Sequence, residues 1–308
     1  MGAVVGCTRA RDTLAWMLVL LAGFGSSAGR ARPAASQAGA AKTHPPQRIV
    51  SVVPAVTEML FAIGAGPRVV AVSSFDNWPP EVRTLTRVGA LLDPDVERII
   101  RLRADVVVVY GTQSDVQAQL ERAHITTFPY VLGGLDNLTA TIRRLGAAVG
   151  SQAQAETVAL GIEARLGAIR QRVAGQPHPR VLLVFGREPG TLRAIDASGG
   201  VGFLSDIIAL AGGDNVFAGE KRESLRISTE AVLAAAPDII IDLHYGSGLT
   251  PEQIDRERAA WKTLPAVPAV RNGRVALLVG DEFVVPGPRL VDAAEAIADV
   301  IHPQRRTR

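Results

Sequence analysis

The sequence predicts an α/β fold of two similar lobes, and three observations predict it. From Arg48 onward, β-branched runs alternate with stretches of helical apolar spacing, the pattern of βα units around mostly parallel sheets. One phrase occurs twice: "DVERIIRLRADVVVVYG" (95–111) and "STEAVLAAAPDIIIDLHYG" (228–246) each set a Glu eight residues before an Asp and then an apolar strand run. Between the copies lies an uninterrupted helical stretch, "SQAQAETVALGIEARLGAIRQRVAG". The expected architecture is therefore two Rossmann-like lobes joined by one long backbone helix.

The N-terminus stands outside that pattern. Arg9 and Arg11 precede an apolar run from Leu14 to Leu21, and small residues follow at 25–29, as in a secretory signal peptide. The run is about half of the roughly 20 residues that a spanning helix needs. A leader at 1–28 and a flexible linker at 29–47, rich in Ala, Gly, Pro and Gln, are expected. The only cysteine, Cys7, lies in that leader, so the exported chain would rely on its core and not on disulfides. Five of the basic side chains and one acid lie before Arg48, which turns a formal charge of +3 into about −1 for the remainder. That leaves no basic surface for nucleic acid.

In the first lobe (48–149), "RIVSVV" is a strand stopped by Pro54, and Thr57 is expected to cap the helix "TEMLFAIGAG". "RVVAVSS", "DVVVVY" and "TTFPYV" are further strands, with helices at "DVERIIRLRA", "QSDVQAQLERAH" and 136–149. The backbone helix (150–175) repeats Val158, Ile162, Leu166, Ile169 and Val173 on one face. Its length of about 23 residues corresponds to roughly 35 Å. In the second lobe (176–302, then a tail at 303–308), "RVLLVFG", "DIIIDL" and "RVALLVG" are strands. "FLSDIIALAGG", "STEAVLAAAP" and "PRLVDAAEAIADVIHP" are helices.

Enzymatic motifs are missing. There is no G-x-S-x-G elbow, phosphate-binding loop or H-E-x-x-H pair, and the five histidines are dispersed. "GAGPRV" lacks the third glycine of a dinucleotide fingerprint and reads as a helix end. Asp242 and His244 could supply two metal ligands to an exported α/β enzyme, but two do not make a site, and neither a metal centre nor a cofactor is expected. Binding has better support, because open α/β sheets hold ligands at the carboxyl ends of their strands. Pro54, Phe75, Trp78 and Tyr110 fall there in the first lobe, and Arg187, Tyr245, Asp281 and Phe283 in the second. Aromatics make up 5% of the chain, so their concentration at loop starts suits a large, flat, partly polar ligand.

These pieces occur in an order that resembles the periplasmic substrate-binding proteins of ABC importers for cobalamin, haem and ferric siderophores, the helical-backbone metal receptors. "RIVSVVPAVTEMLFAIG", "VSSFDNWPPEV", "LAGGDNVFA" and "PRL" carry the likeness with the repeated phrase. Within the family "SSFDNWPP" is most similar to the cobalamin-binding member, which implies a corrinoid held between the lobes with Trp78 against the corrin. The sequence departs from that member at Leu91 and at Arg187–Glu188, where aromatic residues are expected. The family likeness also implies a haem or ferric-siderophore ligand as the alternative, with Tyr110, His244 or Tyr245 as iron ligand. It implies a monomeric, periplasmic, non-enzymatic protein that delivers its ligand to a permease of two transmembrane subunits and two ATPases. Glu97 and Glu230 occupy the positions that dock on that permease.

Overall fold

The computed structural model describes residues 44–303 except Ser247. The expected leader, the linker before His44 and the tail beyond Pro303 lie outside the described residues. The chain divides into two compact units. Of the described residues, the N-terminal unit takes 44–168 with Val285–Asp292, and the C-terminal unit takes Ile169–Val284 with 293–303.

The N-terminal unit is built on a five-stranded, wholly parallel sheet in the order β3-β2-β1-β4-β5. Its strands are β1 (Ile49–Ser51), β2 (Val69–Val72), β3 (Thr86–Arg87), β4 (Val106–Tyr110) and β5 (Thr126–Tyr130). The central strands are apolar on both faces, Val106–Val109 and Ile49–Val50 all being buried, as a sheet covered by helices requires. Chain order reverses between β1 and β4, so a crevice opens at their carboxyl ends. Helices α1 (Pro54–Ala62), α2 (Val96–Arg101), α3 (Ser114–Arg122) and α4 (Leu135–Val149) complete the unit with the start of α5 (Gln152–Val173).

Two expectations are corrected here. Helix α1 begins at Pro54, not at Thr57: proline at the first helical position has its φ set and needs no amide partner. The Thr57 hydroxyl instead donates to the Val53 carbonyl, 3.2 Å away within the first turn. Along α5 the buried stripe is Ala155, Ala159, Ile162, Leu166, Ile169 and Val173, and Val158 stands beside it half-exposed. Small residues serve at the start because α4 approaches closely there. A side chain at Gly146 would meet the Ala155 methyl, and Arg143 of α4 reaches both Glu156 and Glu163 of α5.

The C-terminal unit has a six-stranded mixed sheet. β11 (Val275–Val279), β10 (Ile239–His244) and β6 (Arg180–Gly186) run parallel, and β7 (Ile195–Ser198) and β9 (Ser224–Ile227) continue antiparallel. β8 (Asp214–Asn215) pairs with the start of β6. Its helices are α6 (Phe203–Leu210), α7 (Thr229–Ala235), α8 (Pro251–Trp261), α9 (Pro268–Arg271) and most of α10 (Leu290–Ile301). Trp261 of α8 is fully buried among Leu182, Val184, Ile195, Val232 and Ile240. Among the described residues no helix is long and apolar enough to cross a membrane.

Candidate functional site

In the N-terminal unit the sequence-predicted residues sit on the loops that leave the carboxyl ends of β1, β2 and β4. Pro54 opens α1 directly after β1. After β2, the loop carrying Phe75 and Trp78 is pinned from beneath. The Ser73 amide and hydroxyl both donate to Asp76 Oδ2, and the Phe75 amide donates to Ser73 Oγ at 3.2 Å. Arg87 on β3 donates to the carbonyls of Ser73 and Asp76, each 2.7 Å away. This buried polar base leaves Phe75 half-buried and Trp78 44% exposed.

Tyr110 ends β4. Its ring meets Tyr130 edge-on at 6.0 Å, and its amide donates to Gln113, whose own amide donates to the Leu91 carbonyl. Burial, then Tyr130 and the Asp76 carboxyl, raise the phenol's pKa, so Tyr110 is a neutral hydrogen-bonding group.

Burial also pushes Asp76 up to about 6, against its hydrogen bonds from Ser73 and the charge of Arg87. A carboxyl raised on folding favours the protonated folded form. Its stabilising effect is full below the unfolded value of 3.8 and is lost as pH rises through about 6. Asp76→Asn should therefore gain on the native protein as pH rises from 4 to 7, by on the order of 2 kcal/mol. Urea unfolding across that range measures it, and a pH-independent difference would contradict the assignment.

In the C-terminal unit the predicted residues separate into two groups. Tyr245 is half-buried and follows β10, and Asp281 follows β11. The Gly246 amide donates to Asp281 Oδ1 at 2.9 Å and ties the two loops together. Phe283, two residues after Asp281, is buried.

Arg187 is turned away from that edge. Its guanidinium is 1% exposed, donates to Asp242 Oδ2 from two nitrogens at 3.0 and 2.7 Å, and lies 2.7 Å from Glu257 of α8. Trp261 Nε1 donates to the same Asp242 oxygen, and the guanidinium stacks over the Trp261 ring. Burial alone would raise the Asp242 pKa; His244 and Arg187 outweigh it and hold the carboxyl below its usual range. With one Asp242 oxygen holding Arg187 and Trp261, the Asp242–His244 pair is part of a buried ionic cluster. Among the described residues, no group of three or more His, Cys, Asp or Glu is placed to hold a metal ion.

The repeated phrase builds the same corner in each unit. Asp95 and Ser228 cap α2 and α7 by accepting from the amides of Arg98 and Ala231. Glu97 and Glu230 are each the second residue of their helix. Each helix ends on a left-handed residue, Arg103 (φ 50°) or Ala236 (φ 42°). Asp105 accepts from the Arg48 amide at 2.9 Å and Asp238 from the Arg180 amide at 3.0 Å. The two arginine side chains donate back to the helix-end carbonyls of Leu102 and Ala235. Both glutamates are exposed. Glu97 lies 3.6 Å from Arg101 in an exposed pair; Ser228 foremost, with local backbone and Thr229, holds Glu230 below its usual range.

One arrangement escaped the sequence reading. Glu58 on α1 pairs with Arg289, which in turn lies over Trp78. The partners are 231 residues apart, and only the quoted "PRL" hinted at Arg289.

A family model described as periplasmic binding protein matches residues 49–281. A vitamin B12-binding protein of Pectobacterium carotovorum subsp. carotovorum is 30% identical over 257 residues, covering 82% of this chain and 87% of that protein. The crystal structure of the periplasmic vitamin B12 binding protein BtuF of Vibrio cholerae aligns with a TM-score of 0.71 at 25% identity, over 84% of this chain and 97% of that one. A periplasmic haem binding protein from Pseudomonas aeruginosa aligns equally well, with a TM-score of 0.71 and 26% identity over 84% and 94% of the two chains.

Proposed function

Because the chain belongs to the periplasmic binding protein family, we propose that it captures a corrinoid of the cobalamin class and hands it to an ABC importer. The observation that carries this reading is the 30% identity, spread over 82% of the chain, with a vitamin B12-binding protein. The site is consistent with it. Pro54, Phe75, Trp78 and Tyr110 offer a partly exposed aromatic rim with a neutral phenol. Tyr245 and Asp281, with the buried Phe283 in the same turn as Asp281, offer a second rim with one carboxylate, suited to the amide fringe of a corrin. This reading leaves Arg187 out of the site, because its buried guanidinium is paired with Asp242 and Glu257.

A haem ligand is the second reading, favoured by the likeness to the haem binding protein of Pseudomonas aeruginosa. It would need an iron ligand, which Tyr245, His244 or Tyr110 would supply. A metal-dependent enzyme is disfavoured, because the family and the structural neighbours are binding proteins.

The test is calorimetric and spectroscopic titration with cyanocobalamin, cobinamide, haemin and a ferric siderophore. Cyanocobalamin should bind tightest, and haemin binding tightest with a shifted Soret band would replace this reading with the second. Trp78→Ala should weaken cyanocobalamin binding by roughly 1–3 kcal/mol, the loss of one large aromatic anchor. Unchanged affinity would place the ligand elsewhere.

A further inference from the structure

We propose that Arg289, clamped by Glu58, is a positioning residue that holds the Trp78 indole ready for the ligand; this rests on Trp78 being the ligand's stacking surface. An exposed tryptophan on a loop turns about two side-chain bonds, and ordering it on binding costs affinity. Here the ring is already held. The Arg289 guanidinium lies 4.8 Å from the indole centroid, within the range of a cation–π contact. The guanidinium is itself fixed, donating from Nε to Glu58 Oε2 at 3.1 Å and from Nη2 to Glu58 Oε1 at 2.6 Å. Glu58 is buried on α1, one turn after Pro54, so the ring is referenced to the helix at the crevice.

Local sequence is built around this clamp. A Cβ at Gly287 would come within 2.6 Å of Glu58 Oε2, so a side chain there would push the carboxylate off Arg289. The pairing also matters electrostatically. Arg289 and Glu58 cancel, and the ring is backed by a flat, fixed plate that adds no net charge to the ligand surface. A lysine could supply the charge but not the two-point fork that sets the plane.

The test labels the full chain with 5-fluorotryptophan and assigns the Trp78 fluorine resonance by its loss in Trp78→Phe. Native protein should give one narrow Trp78 signal without ligand. Arg289→Gln and Glu58→Gln should each broaden it or move it toward the free amino acid's position, with the Trp261 signal unchanged as the check on folding. Arg289→Lys should restore it only in part. In the same variants cyanocobalamin should bind about tenfold more weakly. An unaltered Trp78 signal in both Gln variants overturns the positioning claim. So does native affinity in those variants while Trp78→Ala binds weakly. If Trp78→Ala leaves affinity unchanged, the stacking reading fails, and with it the role assigned to Arg289 in binding, even where the fluorine signal shows the ring released.

Discussion

Asp242→Ala should destabilise the C-terminal unit by about 3–5 kcal/mol, because it leaves a buried cation short of one of its two anions. Arg187 would keep Glu257, but the acceptor of its two shortest bonds to Asp242 would be gone, and the Trp261 indole N–H would lose its partner. Against a typical domain stability of about 5–15 kcal/mol this is a large fraction. Trp261 is fully buried in that unit, so its fluorescence during guanidinium unfolding reads the change directly. The midpoint should fall with the slope unchanged. Arg187→Met should be costly alone and much less so on an Asp242→Ala background, since the two share one interaction. A loss below about 1 kcal/mol for Asp242→Ala would mean that water or a rearranged Glu257 satisfies the guanidinium. The same variants decide the role of Arg187: in the folded protein, Arg187→Met should bind cyanocobalamin as tightly as the native chain.

Arg187 also shows where sequence reading stops. It follows β6 at the edge where ligands bind, and nothing local says that its side chain turns inward. The turn is dictated by Glu257 and Trp261 on α8, a helix whose sequence is mostly polar and carries no clear apolar stripe. Its sequence signals are confined to its start, Pro251 at the first position and the capping pair Thr250 and Gln253, which the structure uses in full. The central parallel strands β1, β4 and β10 were legible because each is a run rich in β-branched residues and buried on both faces. Strands β7 and β9 were not, since "IDAS" and "SLRI" are short, half-polar and paired antiparallel. Thr57 was misread as a cap because threonine before an apolar run is a common start, whereas the chain turns into α1 at proline. The stripe on α5 was found from its large residues and missed where alanines continue it. The Glu58–Arg289–Trp78 clamp depends on chain segments brought together only by folding.

Glu97→Gln combined with Glu230→Gln should leave cyanocobalamin affinity intact and reduce uptake by the intact importer about tenfold or more, as expected when charge-assisted contacts to a partner are lost. An acid in a first helical turn has a simpler role, complementing the helix dipole for about 0.3–1 kcal/mol. The two explanations differ in what they predict. A dipole role alone would lower the unfolding midpoint slightly and leave uptake normal. A docking role would spare stability and ligand binding and lower transport, more in the double variant than in either single one. The structure bears on the choice in two ways. Each Glu sits in an equivalent capped helix, closed by a left-handed residue at the matching position and by a matching arginine clasp, so the two corners present the carboxylate alike. One turn further on, each helix exposes a large aliphatic residue, Ile100 at 39% and Leu233 at 41%. Neither side chain is needed for the dipole, and an exposed aliphatic gains nothing from water. Paired with an acid in both units, it suits a partner surface that offers a basic side chain beside an apolar one. Ile100→Ser with Leu233→Ser should then lower uptake without touching ligand affinity, and normal transport in both double variants would return the glutamates to helix caps alone.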